Sequence, residues 1–370
     1  MPNGRETLLQ VIESQPVIDG RFTAIKRIGA SGGNGHFSML FSAHDTSSGR
    51  SVALKFLRPD LITEPYRWTS FQREEEVTHE FVGQSDVVQW VAPYSIFTIP
   101  LTTPQGFVYP MQVPYFGLEL ASDRNVGDVI LDGEMNTPWI LGTFQAMARG
   151  VQRMHAAGIA HRDLKPSNFL IMLDGSIKLS DLGTARNVRD DQQQIMKIYD
   201  FAPGDKRYTA PEIIACLHDV HPRIALAADV YALGATWFEL ITGSELVHHV
   251  FPPNFIDDLT AYMVNVPREK RKETYDKFVG DIARAHPLPS LGDFRIEIPS
   301  CIHRPVDALY RSLATLDYRM RWRDFQRIFN HIQICSVTLR NEEKYHRMLE
   351  ERRRRRQVAA SRHAVGGERK

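Results

Sequence analysis

The chain has 370 residues, and its 45 basic and 44 acidic side chains leave a formal net charge of +1. This length is typical of two packed units with a substantial core. The near balance of charge excludes a strong overall field that would draw the whole chain to a polyanion. The charge is uneven along the chain, however, because residues 336–370 contain 11 Lys and Arg against 5 Asp and Glu.

The cysteines and the apolar segments narrow the class of protein further. Three cysteines, which are odd in number and far apart, form neither a disulfide framework nor a zinc ligand set. Residues 1–15 lack the basic flank and apolar core of a secretory signal. The long apolar stretch "IALAADVYALGATWFELITG" carries Asp229 and Glu239, so it predicts a buried helix. We therefore expect a cytoplasmic protein without a membrane span.

The predicted elements change in character along the chain. From Arg21 to about Leu120, short strand-like runs such as "SVALKFL" and "YFGLEL" alternate with Gly, Ser and Pro turns. One helix is predicted among them, in "FQREEEVTHEFV", because apolar residues recur there at helical spacing. After Asn136, "WILGTFQAMARGVQRMHAAG" predicts a long amphipathic helix that ends at Gly158. A β-rich unit thus precedes a helical one, with the join expected within residues 120–128.

Polar residues are concentrated in "HRDLKPSNFL", residues 161–170. Taken alone, this stretch could be an ordinary polar surface turn. With Asp181, at the end of the predicted strand "SIKLSDLG", it predicts a magnesium–phosphate site, because magnesium on phosphate prefers carboxyl and amide oxygens such as those of Asp181 and Asn168. Asp163 would then face an attacking hydroxyl, and Lys165 would neutralise charge on a phosphoryl group.

Four motifs in fixed order resemble those of the eukaryotic-type protein kinase family: "HRDLKPSN", "DLG" at 181–183, "APE" at 210–212 and "DVYALG" at 229–234. The resemblance covers about residues 21–335. It implies an α+β, bilobed protein kinase fold, with a five-stranded antiparallel sheet and one main helix in an N-lobe of about 21–120. A larger, mostly helical C-lobe of about 121–335 would follow, and residues 336–370 would form a basic, Arg-rich helix or tail.

The resemblance also implies the roles of the catalytic residues. Asp163 would be the catalytic base, assisted by Lys165, while Asn168 and Asp181 would hold Mg²⁺. Lys165 within "KPSN" is similar to the catalytic loop of Ser/Thr kinases. Arg321 resembles the late arginine that pairs with the glutamate of "APE", here Glu212, in a structural role.

The ATP site is implied by residues of the first unit. Gly33 and Gly35 would bring backbone N–H groups close to phosphate oxygens. Lys55 would grip the α- and β-phosphates and needs an acidic partner, since burying it unpaired is costly. The helical face favours Glu74 as that partner, whereas counting back from "DVV" selects Glu75.

The adenine pocket is implied by four apolar residues and the hinge "FGLELAS". Backbone groups of Glu119 and Ala121 would bind the adenine edge. The side chains expected to enclose the purine are those of Leu40, Ala53, Leu118 and Leu170.

Two positions depart from the family pattern. Ser38 stands where the third glycine of the phosphate loop is usual, and Asp205 stands where Ser/Thr kinases usually have a threonine. Asp205 could form a salt bridge with Lys165, and its charge beside Asp163 could slow catalysis. The resemblance implies a Ser/Thr protein kinase that uses ATP and Mg²⁺ on a protein substrate, with a pseudokinase as the alternative. The run Arg352–Arg356 leaves open a nucleic-acid or acidic partner, although a solvated tail is favoured.

Overall fold

An antiparallel sheet of six strands builds the first lobe of the computed structural model. The structure describes residues 4–28, 38–102, 106–189, 203–342, 344 and 347–355. The strands are β1 (Val17–Ile18), β2 (Phe22–Arg27), β3 (Ser38–Asp45), β4 (Arg50–Leu57), β5 (Trp90–Thr102) and β6 (Val108–Glu119). Their order is β1-β2-β3-β4-β6-β5. The expected number of five was wrong, because β1 adds a short edge strand in which Ile18 opposes Phe22.

The two faces of this sheet carry different sets of side chains. The register places Leu40 opposite Lys55, and Ala53 opposite Leu118, so these side chains share one face. That face also holds Phe116, whose ring packs 4.8 Å from the ring of Phe71, measured between centroids. Phe71 belongs to helix α2 (Pro65–Glu80), so the predicted main helix covers the inner face of the sheet.

A helix that the sequence analysis did not predict covers the outer face. Helix α1 (Gly4–Glu13) buries Leu8, Leu9 and Ile12 against Phe41 and other outward residues of the sheet. The packed lobe therefore begins before Arg21, where the kinase-like region was expected to start. The spacing of the three apolar residues in "LLQVI" was a usable signal, because positions i, i+1 and i+4 lie on one helical face.

The chain enters the second lobe directly after β6. Five short strands follow: β7 (Ala121–Asn125), β8 (Ile159–Ala160), β9 (Phe169–Met172), β10 (Ile177–Leu179) and β11 (Arg186–Asn187). They form a three-stranded sheet of order β10-β9-β7 and the pair β11-β8. The loops that connect these short strands lie beside the first lobe, and the candidate site is there.

Helices make up most of the second lobe. They are α3 (Val126–Asp132), α4 (Thr137–Ala157), α5 (Pro211–Ile214), α6 (Ile224–Thr242), α7 (Val247–Val250), α8 (Phe255–Val264), α9 (Arg268–Ala285), α10 (His303–Ala314) and α11 (Phe325–Arg340). Helix α4 is the predicted amphipathic helix. Asn136 caps its start by accepting a hydrogen bond from Trp139 N, and Gly158 ends it in the left-handed conformation at φ 80°.

The apolar helix α6 lies at the centre of the second lobe. Almost all of its residues are buried, among them Trp237 and Phe238, and it packs against α4, α5 and α10. In the described part of the chain it is the one helix long and apolar enough to cross a membrane. Its burial inside the lobe agrees with the prediction of a core helix.

The last described residues are mostly helical. Helix α11 extends to Arg340 and buries Cys335, and helical backbone is present again over 347–355. The described part of the arginine run, residues 352–355, is exposed.

Candidate active site

The catalytic-loop candidate lies between β8 and β9 and is fixed from below by α6. The buried carboxylate of Asp229 accepts hydrogen bonds from the backbone N–H groups of His161 and Arg162, at 2.8 and 2.9 Å. These bonds support Arg162 in a left-handed conformation at φ 69°, which is uncommon for a residue with a side chain. Asp229 therefore supports the backbone of the catalytic-loop candidate from α6.

Asp163 is held by three neighbours around its carboxyl group and carbonyl. Lys165 Nζ lies 3.1 Å from Asp163 Oδ2, and Asn168 Nδ2 donates to Asp163 O at 2.7 Å. The N–H of Asp205 donates to Asp163 Oδ1 at 2.8 Å. Burial raises the pKa of Asp163 above the ordinary range of an aspartate, although the Lys165 cation acts in the opposite direction. The group is thus a fixed carboxylate with increased basicity.

Asp181 follows β10 and is exposed enough to bind a ligand. Its backbone is left-handed at φ 60°, and its side chain is 47% exposed. Lys55 Nζ lies 3.4 Å from Asp181 Oδ1, and this cation lowers the pKa of Asp181 below its usual value. The carboxylate is therefore ionised at neutral pH.

Helix α2 holds the backbone that follows Asp181. Ser70 Oγ and Arg73 Nη1 both donate to the carbonyl of Gly183, at 2.6 and 3.0 Å. Leu182 is buried beneath α2 with Val77. The roles of Ser70 and Arg73 could not be predicted from the sequence, because their common partner lies more than 100 residues away along the chain.

Lys55 and Glu74 form a buried ion pair between β4 and α2. Lys55 Nζ lies 2.6 Å from both carboxylate oxygens of Glu74. Glu75 points elsewhere and accepts a hydrogen bond from Trp90 Nε1 at 2.7 Å. Burial alone would lower the pKa of Lys55, but the carboxylates of Glu74 and Asp181 raise it above its ordinary value. The lysine therefore stays protonated beside these two carboxyl groups.

The residues expected around adenine line the same inner face and the strand below it. Leu40, Leu118 and Leu170 are half-buried, and Ala53 is buried. Their register on β3, β4, β6 and β9 leaves an apolar surface next to Lys55. Such a surface has the chemistry that a purine ring needs.

The hinge residues have further partners that the sequence did not indicate. The N–H of Glu119 already donates to Gln89 O, at 2.9 Å. The carboxylate of Glu119 is 2.7 Å from Lys178 Nζ on β10, which ties the two lobes together. Ala121 begins β7 and pairs with Met172. The adenine contacts of Glu119 and Ala121 stay predictions.

The phosphate-loop prediction cannot be compared with the structure, because Gly33 and Gly35 lie outside the described residues. Ser38 is the first residue of β3 and is buried.

The donor set at the site fits magnesium held together with phosphate. Across the described ranges, no group of three or more His, Cys, Asp or Glu side chains is arranged to hold a metal ion. Asn168 and Asp181 offer one amide and one carboxylate oxygen donor. Magnesium bound through one or two protein oxygens plus substrate phosphates needs no larger protein set.

Asp205 is not placed as the sequence suggested. Its carboxylate forms an ion pair with Arg207, at 2.6 Å between Arg207 Nη2 and Asp205 Oδ2, rather than the suggested salt bridge with Lys165. Lys165 instead lies against Asp163. The expectation was wrong because an arginine two residues away can bind both carboxylate oxygens in a planar fork.

The "APE" glutamate has the structural partner that the resemblance implied. Glu212 and Arg321 are both fully buried and form a two-point ion pair, with Arg321 Nη2 3.0 Å from Glu212 Oε2. Arg321 also donates to the carbonyls of Thr315 and Ala227. This pair anchors α5 to the base of the second lobe.

A model of the protein kinase domain matches residues 27–331 of this sequence. The chain belongs to the protein kinase family. That family accounts for the α+β architecture of two lobes and for the order of the four motifs.

Curated relatives of this kinase chain are named as serine/threonine kinases. It is 32% identical over 213 residues to the probable serine/threonine-protein kinase PknB of Corynebacterium glutamicum, which covers 57% of this chain and 30% of that relative. It is 29% identical to the serine/threonine-protein kinase PknA of Mycobacterium tuberculosis, over 61% of this chain and 48% of the relative. With the serine/threonine-protein kinase pkn2 of Myxococcus xanthus it shares 26% identity over 81% of this chain and 33% of the relative. The chain thus spans half or less of the length of these relatives.

Proposed function

We propose that this protein transfers the γ-phosphoryl group of ATP, in the presence of Mg²⁺, to a serine or threonine hydroxyl of a protein substrate. The observation that carries the proposal is the contact of Lys55 with both Glu74 and Asp181, at 2.6 and 3.4 Å. Through it, a cation from the first lobe meets a metal-binding candidate from the second. Both parts must be in place for phosphoryl transfer by a protein kinase.

The residues of the second lobe fit the chemical steps. Asp163 accepts the proton of the attacking hydroxyl, and its raised pKa suits a general base. Lys165, beside Asp163, balances negative charge that develops on the transferred group. Asn168 and Asp181 would hold magnesium, which when bound supplies positive charge to the triphosphate.

The apolar inner face of the sheet supports ATP as the phosphoryl donor. A purine fits between Leu40, Ala53 and Leu118 above and Leu170 below, while Lys55 binds phosphate oxygens. The names of the relatives and the sequence "KPSN" support serine or threonine as the acceptor.

The proposal is tested by incubating the purified chain with Mg²⁺, ATP labelled in the γ-phosphoryl group and a generic protein acceptor. We expect label transfer by the wild-type chain and losses of at least about 100-fold in Asp163→Ala and Lys55→Met, since each removes a group needed in the transition state. The control is Asp258→Ala, at an exposed position of α8, which should transfer label at the wild-type rate. Equal signals from all four proteins would refute the proposal.

The alternative is a pseudokinase that keeps the fold without turnover. The observation in its favour is Asp205, whose N–H occupies one lone pair of Asp163. A wild-type chain that binds Mg·ATP but transfers no label to any acceptor, or to itself, would establish this alternative.

A further inference from the structure

The loop from residue 203 to residue 209 packs directly on the catalytic-loop candidate. Gly204 has φ +91°, and a Cβ there would lie 2.4 Å from the carbonyl of Arg162. The next residue, Asp205, donates its N–H to Asp163 Oδ1, and Thr209 Oγ1 donates to Asp205 O at 2.7 Å. Any change in the position of Asp205 is therefore passed to the carboxylate of Asp163.

The side chain of Asp205 is bound at three points by one residue. Arg207 donates to it from its backbone N at 3.1 Å, from Nε at 3.0 Å and from Nη2 at 2.6 Å. The other terminal nitrogen, Arg207 Nη1, lies 2.7 Å from Glu245 Oε1. Glu245 in turn contacts His248 Nε2 at 2.9 Å through its second oxygen. A series of side-chain contacts thus extends from Asp205 through Arg207 and Glu245 to α7.

The ion pair with Arg207 fixes the side chain of Asp205. Arg207 binds the partly buried carboxylate of Asp205, while Lys165 lies against Asp163. Without Arg207, the Asp205 side chain would lose these bonds, and the hydrogen bond from its N–H to Asp163 Oδ1 would be less firmly held.

We propose that Arg207, held by Glu245, is a positioning residue that fixes Asp205 and thereby the place of the carboxylate of Asp163. The inference rests on the proposed function for its kinetic consequences. Its structural part, the ordering of the loop by Arg207, does not depend on turnover.

The matched control is supplied by a second pair of the same form. Arg319 binds Asp317 from its backbone N at 3.0 Å, from Nε at 2.8 Å and from Nη2 at 2.7 Å. That pair lies between α10 and α11, outside the catalytic loop. Arg319→Ala therefore removes the same kind of ion pair without touching Asp163.

The kinetic test compares kcat and KM of the wild type with those of three variants. Arg207→Ala should lower kcat about tenfold, because Asp163 is held less firmly where it accepts the proton of the hydroxyl. KM for ATP should stay within about twofold, because Lys55 and Asp181 are unchanged. Arg207→Lys should recover part of the loss, and Arg319→Ala should match the wild type.

A double variant tests whether Arg207 acts through Asp205. In Asp205→Asn/Arg207→Ala both members of the pair are changed, so kcat should be close to that of Arg207→Ala alone. A wild-type kcat in Arg207→Ala, or a further loss in the double variant as large as the first, would overturn the proposal.

Amide hydrogen exchange tests the structural part, whether or not the protein turns over. Peptides covering residues 203–209 should exchange at least about tenfold faster in Arg207→Ala than in the wild type, because the Asp205 N–H to Asp163 bond opens more often. Arg319→Ala should leave this peptide unchanged. If hydrogen exchange is unchanged in folded Arg207→Ala, the positioning role of Arg207 is wrong. If exchange is faster but the protein shows no turnover, only the proposed function is contradicted.

Discussion

The buried cation of Lys55 needs an acidic partner, and that partner is Glu74. Both Glu74 and Glu75 belong to one run of acids on α2, but only Glu74 lies on the buried face and meets Lys55. Glu75 reaches Trp90 instead. Helical periodicity favoured the correct residue, because Phe71 and Val77 mark the same buried face.

The matched pair Glu74→Gln and Glu75→Gln provides a test at this scale. Glu74→Gln leaves the buried Lys55 with a neutral partner, so we expect kcat/KM for ATP to fall by about 10- to 100-fold, as for loss of a buried charge partner. Glu75→Gln should stay within about twofold of the wild type. Steady-state kinetics at varied ATP concentration measures both, and an equal effect of the two substitutions would contradict the assignment of Glu74.

Among the elements, α1 shows what the sequence analysis overlooked and why. The four kinase-like motifs predicted a fold of two lobes, because each motif is a short set of residues with a specific chemical role and their order resembles that of the kinase family. Helix α1 precedes all of them, and its burial depends on an outward sheet face that the kinase resemblance did not describe. Its polar contacts, from Arg27 to Glu6 at 3.0 Å and from Arg27 N to Glu13 Oε1 at 3.0 Å, join it to the end of β2. That end leads into the glycine-rich segment with Gly33 and Gly35.

The contribution of α1 is tested by Ile12→Ala, which removes a fully buried side chain. We expect the free energy of unfolding to fall by about 3 kcal/mol, the usual cost of truncating a buried isoleucine to alanine. The control Thr7→Ala changes an exposed residue of the same helix and should remain within about 0.5 kcal/mol. Urea unfolding followed by tryptophan fluorescence measures both, and equal midpoints would show that α1 is not part of the packed lobe.

The long-range contacts between elements were the part of the site that could not be predicted from the sequence. Asp163, Asn168, Asp181 and Lys55 could be named in advance, because motif order and spacing specify them. The partner of Asp205 could not, since choosing between Lys165 and Arg207 requires the path of the loop on the catalytic residues. The contact of Glu245 with Arg207 could not be predicted either, because Glu245 follows α6 and lies beside that loop only in the folded chain.

In the whole molecule, specific polar contacts join the two lobes. Lys55 lies beside Asp181, Ser70 donates to Gly183 O, and Lys178 contacts Glu119. Helix α1 covers the outer face of the sheet and α6 is buried at the centre of the second lobe, while Val77 of α2 packs into the core of the second lobe. The proposed chemistry therefore belongs to the cleft between the lobes, where neither lobe alone holds the full set of groups.

The most direct test of this account separates nucleotide binding from transfer in Asp163→Asn. Calorimetry with Mg²⁺ and ATP should give the wild-type and variant chains dissociation constants within about threefold of each other, because Asp163 is assigned to the acceptor hydroxyl and not to the nucleotide. Single-turnover transfer to a protein acceptor should be slower in the variant by at least about 100-fold, as expected for loss of a general base. Equal transfer rates in the two proteins, or no binding of Mg·ATP by either, would contradict the account.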